Sequence, residues 1–285
     1  MKDLRSPEDG AASPGAKADA RLRIASVLAR QEQSPLSVFI CFVCALFLVV
    51  VIADGPVHTL ARSLDPTLNA ALRMVTEFGN SGWPLGIGLT LLALVAVARR
   101  RAQGTAAEEL QAFRSCLLLV VFSVAGSGFL ASLSKNMIGR MRPSTVPDPN
   151  VLEFSVMAFR AGWASFPSGH ATTAAACAVA LAICAPRLSW AWLSIGLVAA
   201  LSRALLGVHW LSDCLAGLAL GTGFCLLLRK YMTERGHQFL LDPRGLLRTV
   251  ALAAETLSGA AASLGRSVVA GVVQIRRKLA SRRRT

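Results

Sequence analysis

Charge is what this sequence has least of. Asp, Glu, Lys and Arg make up 16% of its 285 residues, where a soluble globular domain carries roughly a quarter. That excludes an ordinary water-soluble domain. Acidic residues are the scarcer kind, 16 against 30 Lys and Arg, for a formal net charge of +14. In a soluble chain that balance would point to nucleic acid. Here the basic residues lie mostly in tails and in loops beside apolar runs. The positive-inside rule and anionic headgroups explain them more simply, and no nucleic-acid partner is expected. Histidine occurs four times. His58 and His237 are isolated, and no cluster has metal-ligand spacing, so neither a metal nor a cofactor is expected. The seven cysteines all fall in or beside apolar runs. Cys41 and Cys44 form a C-x-x-C inside a candidate membrane helix, where they read as small hydrophobes in helix packing. No cleavable signal peptide is expected, because the first apolar run begins too late and too abruptly.

What is present is apolar sequence: 54% of the residues, with a mean hydropathy of +0.53. Several runs approach the ~20 residues that cross a bilayer. Six spans are expected: Ser37 to Ala53, Trp83 to Ala98, Cys116 to Leu133, Ala171 to Ala185, Trp190 to Leu206 and Leu211 to Leu228. The fold class is therefore all-α, a polytopic six-helix membrane bundle. The stretches from Asp54 to about Gly82 and from about Ser134 to Gly169 read as loops. Trp83, Trp163, Trp190, Trp192 and Trp210 lie near span ends, as an interfacial aromatic belt would place them.

Three parts follow: a polar tail over 1–34, a membrane domain over 35–230 and a basic tail over 231–285. From Leu246 to Leu279 apolar residues recur at three- and four-residue steps, with Arg276, Arg277, Lys278 and Arg282 to Arg284 among or after them. That pattern suits an amphipathic helix lying on an anionic leaflet; a solvated tail is the plainer alternative. Counting Lys and Arg, with an even number of spans, puts both termini in the cytoplasm and the loops at about 134–169 and 207–210 on the other side. Lys135, Arg140, Arg142 and Arg160 then sit on the outer side, against the simple charge rule, which suggests a purpose for them.

Three stretches carry chemistry. Lys135 to Pro143 follows the third span, and Lys135 and Arg142 are seven residues apart, so as a helix they would share a face and attract an anion. Snorkelling at the interface is the plain alternative. In Phe166-Pro-Ser-Gly-His170, Ser168 is placed to cap a helix. The amides of Gly169 and His170 would then form an anion site at its positive end, with His170 against the anion. In Ser202-Arg203 through His209 to Asp213, His209 and Asp213 stand at i and i+4. A carboxylate beside an imidazole fixes its tautomer and makes it a nucleophile or base, while Arg203 suits a phosphate. A simple helix-surface contact is the competing reading of that pair.

Taken together, Lys-x6-Arg-Pro, then Pro-Ser-Gly-His, then Ser-Arg-x5-His-x3-Asp is similar to the three-part signature of the type 2 phosphatidic acid phosphatase (PAP2) superfamily. That superfamily includes membrane lipid phosphatases and vanadium haloperoxidases. All the defining positions match, and the resemblance covers roughly residues 35–230. It implies that His209 attacks phosphorus and forms a phosphohistidine, and that Asp213 orients it. It further implies that His170 protonates the leaving oxygen and later activates water, while Lys135, Arg142, Arg203, Ser168 and Gly169 hold the phosphoryl oxygens. The implied activity is a metal-independent phosphatase acting on a lipid phosphate or diphosphate at the extracytoplasmic face, and the Ala- and Arg-rich composition leans towards a bacterial inner membrane. A phosphotransferase would use the same intermediate. Six apolar spans argue against the soluble haloperoxidases. A non-catalytic lipid binder would be expected to have lost a catalytic group, and a transporter would carry its ionisable residues in mid-span. The apolar loop over 151–159 is expected either to dip into the outer leaflet or to form a folded cap over the site. Neither the lipid nor the oligomeric state is legible.

Overall fold

The computed structural model describes residues 34–100 and 102–239. The polar tail up to residue 33 and the amphipathic segment beyond Phe239 lie outside them. Among the described residues eight α-helices follow one another: α1 (Pro35–Ile52), α2 (Asp54–Arg62), α3 (Pro66–Thr76), α4 (Gly82–Ala98), α5 (Thr105–Ile138), α6 (Gly169–Cys184), α7 (Ser189–Leu205) and α8 (Leu211–Thr233). The described residues form no strand, only an isolated bridge between Arg140 and Phe154. The chain divides into Met1–Ala45 and Leu46–Thr285. The described part of the first unit is Ser34 and the N-terminal stretch of α1, an apolar helix with no buried residue.

Among the described residues, five stretches are long and apolar enough to cross a membrane: Pro35–Ile52, Pro66–Ala98, Thr105–Ile138, Pro186–Leu205 and Leu211–Thr233. The chain is an integral membrane protein. The expected fourth span, α6, is only 16 residues long, about 24 Å at the usual rise, against roughly 30 Å of hydrocarbon. Its setting explains the shortfall. It packs against α5, α7 and α8, and ten of its residues are buried, so little of it could meet lipid. Ala171, Ala174, Ala199, Ala200, Ala204 and Cys214 form one core beside its start. Cys116, Leu119, Ala180, Cys184 and Cys225 belong to another near its end. Small side chains let these backbones close up. At Gly217, a Cβ would stand 2.6 Å from the Ser168 carbonyl oxygen, so α8 can approach the start of α6 only with glycine there. All seven cysteines are free.

Three sequence expectations about the helices and their packing change in the structure. The segment between the first two spans is not a loop: it folds into α2 and α3, which pack on α7. Pro66 opens α3 at its first position, and Asp65 caps it by accepting the Thr67 amide at 2.7 Å. The third span is the middle of a much longer helix, α5. Trp210 is no interfacial anchor, being buried, with its indole N–H on the Met141 carbonyl at 2.9 Å.

Candidate active site

The chemistry-bearing residues gather where α5 ends and α6 and α8 begin. Lys135 lies in the last turn of α5. That helix stops at Gly139, whose φ of +63° belongs to the left-handed region and whose N–H reaches the Lys135 carbonyl at 3.0 Å. A Cβ on Gly139 would also collide with the Ser155 carbonyl. The chain therefore turns here, and Arg142 lies off the helix. Lys135 and Arg142 share no helical face, contrary to the spacing argument, yet the turn carries Arg142 back towards the site.

Ser168 caps α6 by accepting the Ala171 amide at 3.5 Å, and Gly169 and His170 open the helix. The Lys135 ammonium lies against Gly169, 2.8 Å from where a Cβ would stand. A Cβ on Gly79, in the 3-10 turn Glu77–Gly79, would stand 2.6 Å from the His170 carbonyl oxygen, so this turn packs closely on His170. The Ser202 hydroxyl bonds back to the Ala199 carbonyl at 2.8 Å and is spent on its own helix. Gly207, with φ +66°, ends α7 and turns the chain. The amide of His209 then donates to the Arg203 carbonyl at 3.3 Å.

His209 and Asp213 do not share a helix either. Trp210 is the N-cap of α8, and Asp213, three residues on, accepts the Trp210 amide at 3.0 Å. The imidazole still meets the carboxylate: His209 Nδ1 lies 3.7 Å from Asp213 Oδ2 and 3.4 Å from the Ser165 hydroxyl. Ser165 donates to the same Oδ2 at 2.5 Å. His209 is buried. That burial lowers its pKa to about 4, with Asp213 pulling the other way and the Arg142 and Lys135 charges adding to the fall. At neutral pH the imidazole is uncharged. With Nδ1 turned to Asp213 and Ser165, Nε2 is the nitrogen left with a lone pair.

Sequence reasoning missed the support behind Asp213. Arg140 is 1% exposed. Its Nη1 donates to Asp213 Oδ1 at 2.6 Å and to the Ser212 hydroxyl at 2.7 Å. Its Nη2 donates to Asp54 Oδ2 and to the Val151 carbonyl, both at 2.8 Å. Asp54, at the start of α2, in turn accepts the Ser212 amide at 2.9 Å and the Ser212 hydroxyl at 2.5 Å. One guanidinium thus bridges two buried carboxylates. Arg140 stood out in the sequence only as an outer-side cation against the charge rule and Asp54 only as a charge ending a span, with nothing to show that they meet.

The other cations are deployed differently. Among the described residues, Lys135, Arg142 and Arg203 form no ion pair with a carboxylate. Arg142 gives Nη2 to the Ala164 carbonyl at 3.2 Å, and Arg203 gives Nη1 to the Thr76 hydroxyl at 3.5 Å. The Nε of each is buried and finds no acceptor within the protein. Desolvation also lowers the pKa of Arg142. Buried donors without acceptors are costly unless a ligand completes them, and guanidinium forks match phosphoryl oxygens. All eight residues singled out by the motifs lie on the segments that meet here. Among the described residues no three of His, Cys, Asp and Glu stand close enough to hold a metal ion.

The loop between Pro143 and Ser165, here the cap loop, is tied to this turn by backbone bonds. Met141 and Ser155 donate their amides to the Glu153 and Gly139 carbonyls at 3.0 and 2.7 Å. It nevertheless leaves Val156 and Phe159 72% and 67% exposed.

The model of the PAP2 superfamily matches residues 116–237. A lipid A 1-phosphatase of Rhizobium etli is 33% identical over 208 residues, covering 70% of this chain and 86% of that protein. A decaprenylphosphoryl-5-phosphoribose phosphatase of Mycobacterium tuberculosis is 33% identical over 171 residues, covering 55% and 76%. A solved phosphatidylglycerolphosphate phosphatase of Bacillus subtilis shares the fold with a TM-score of 0.50, 24% identity, and 70% and 96% coverage. The chain belongs to the PAP2 superfamily. It is a membrane phosphatase.

Proposed function

We propose that this phosphatase removes the terminal phosphate of a phosphorylated lipid through a phosphohistidine on His209. The observation that carries the reading is the pairing of a neutral, oriented His209 with two guanidiniums whose buried Nε groups lack acceptors. Nε2 of His209 attacks phosphorus as the bond to the lipid oxygen breaks. His170 takes up a proton as the negatively charged phosphate binds beside it, and gives that proton to the departing oxygen. Water then attacks the phosphohistidine while His170 takes a proton from it, and phosphate leaves. Lys135, Arg142 and Arg203, with the Ser168 hydroxyl and the Gly169 amide, hold the equatorial oxygens, where phosphoryl transfer concentrates charge. Three fixed cations supply the neutralisation that Mg²⁺ gives elsewhere, so the reaction needs no metal.

A lipid substrate suits the surroundings of His170. A cavity of about 460 Å3 runs from His170, Gly169 and Thr173 along Leu85, Val124, Ala125 and Phe129. Its mixed lining fits a polar head at one end and an acyl or prenyl chain along the other. The exposed Val156 and Phe159 of the cap suit the headgroup region of the adjoining leaflet. We place the site at the extracytoplasmic face. Lys135 closes α5 while His170 and Asp213 open α6 and α8, so the opposite ends of these helices carry Arg99 and Arg100, Arg187, Arg229 and Lys230. Those fit a cytoplasmic side.

The test is phosphate release in detergent with EDTA, from phosphatidic acid, a polyprenyl diphosphate and lipid A, with His209→Ala alongside. Release by wild type and not by the variant supports the reading, and the rates rank the lipids. Release that EDTA abolishes contradicts it. Phosphate appearing on an added alcohol in place of water would move the assignment to a phosphotransferase, which shares the intermediate.

A further inference from the structure

A second cavity, of about 750 Å3, adjoins the phosphate cradle, and none of the steps above uses it. Its walls are α2 and α3, the Pro143 to Pro147 segment, and Leu206 with Gly207. Each wall is continuous with the cradle. Pro143 follows Arg142, and Gly207 lies two residues before His209. Thr76, one turn beyond Arg73 on α3, receives Arg203 Nη1 at 3.5 Å. The His58 ring packs on Trp210 with centroids 5.5 Å apart.

The lining holds two guanidiniums, Arg62 and Arg73, with His58 and Asn69, and no carboxylate. Arg62 gives Nη1 to the Pro147 carbonyl at 2.7 Å. His58 Nδ1 is buried and has no partner in the protein. Burial and the Arg62 charge hold the His58 pKa below its ordinary value, so at neutral pH it contributes a hydrogen bond and no charge. Two cations facing one space with no counter-charge in the wall make an anion site.

We propose that this cavity is a headgroup subsite that takes a second anionic group of the lipid whose terminal phosphate lies in the cradle. This rests on the phosphatase reading above and narrows it, because the preferred substrate then carries a further phosphate on its headgroup. The same donors would also accept the headgroup of a neighbouring phospholipid or a released phosphate ion, and the test separates these sources.

The full chain is assayed in micelles of an uncharged detergent. The substrates are phosphatidic acid, with one phosphate, and phosphatidylglycerol phosphate with the same acyl chains, which adds a phosphodiester. Wild type prefers the second lipid. Arg73→Ala lowers the ratio of the two kcat/KM values about tenfold, through KM, as expected for a contact made equally in ground and transition states. Arg73→Glu lowers it further, and Arg73→Lys keeps most of it. Arg73 is solvent-facing, and the Tm of each variant is checked against wild type. An unchanged ratio, or equal loss on both lipids, overturns the subsite. So does an Arg73→Ala effect on phosphatidic acid that appears only when phosphatidylglycerol or inorganic phosphate is added, since the anion would then come from outside the substrate. Wild type that cleaves neither lipid contradicts the specificity, and failure on every phosphorylated lipid contradicts the phosphatase reading itself.

Discussion

Replacing Arg140 with methionine keeps its bulk and removes its charge. In the native protein this guanidinium lies between Asp54 and Asp213, at 2.8 and 2.6 Å, with both carboxylate side chains at 0% exposure. Without it, two carboxylates stay buried with no counter-ion between them. Removing one partner of a buried pair costs about 3–5 kcal/mol, because the remaining charge is uncompensated. For a domain of this size that is a fall in Tm of about 6–20 °C. Charge counting gives a sharper version. Asp54→Asn alone leaves Arg140 balanced by Asp213, so it costs less than Arg140→Met. Adding Asp54→Asn to Arg140→Met removes one of the stranded charges, so the double variant should be more stable than Arg140→Met alone. Asp213 also loses the donor that fixes its Oδ1, so kcat should fall by about 100-fold, the scale set by a misplacement of about 1 Å. The assay is thermal unfolding of the purified protein in detergent, with turnover measured on the same samples. A Tm for Arg140→Met within about 2 °C of wild type, or a double variant no more stable than it, would refute the reasoning.

Two further predictions follow from the site and its cap. His209 is neutral in the fold, with its pKa lowered from 6.5 to about 4; the stability this gives is complete above 6.5 and is lost as pH falls through the window down to about 4. The acid limb of kcat/KM assigned to His209 should therefore lie near pH 4 and Tm should decline below about pH 6.5, whereas a limb near 6.5 would show the imidazole to be solvated. Changing Val156 and Phe159 to serine leaves the cap's backbone bonds in place and should slow hydrolysis of lipid in vesicles more than hydrolysis of a short-chain soluble phosphate; equal slowing would deny the cap a leaflet contact.

The proposed catalytic groups stood out because a histidine, lysine or arginine set among apolar runs needs a reason, and three such motifs in a fixed order suggested one. Their supports did not. Arg140 and Asp54 stand 86 positions apart; Arg140 read only as one of several outer-side cations, and Asp54 only as a charge that ends a span. Trp210 at the head of α8 reads equally well as an interfacial anchor, and only tertiary packing turns it inward. The helical reading of Lys135 to Arg142 failed at Gly139, where one left-handed residue ends α5. The helices α2 and α3 were hidden by Gly55-Pro56 and Asp65-Pro66, dipeptides that suggest turns, although a proline in a first turn begins a helix as readily. The apolar runs were visible, and among the described residues five of the long apolar stretches they mark are long enough to cross a membrane. The brevity of α6 was not interpretable from sequence, because it depends on which helices surround it.

The central claim is that His209 itself takes the phosphoryl group. Rapid quenching of wild type with a substrate labelled on its terminal phosphate, followed by digestion and mass analysis, tests it directly. The account predicts an acid-labile, alkali-stable phosphate on the peptide containing His209, absent in His209→Ala and lost more slowly in His170→Ala. Turnover by wild type with no phosphorylated enzyme at any quench time, or phosphate carried by another residue, would contradict it.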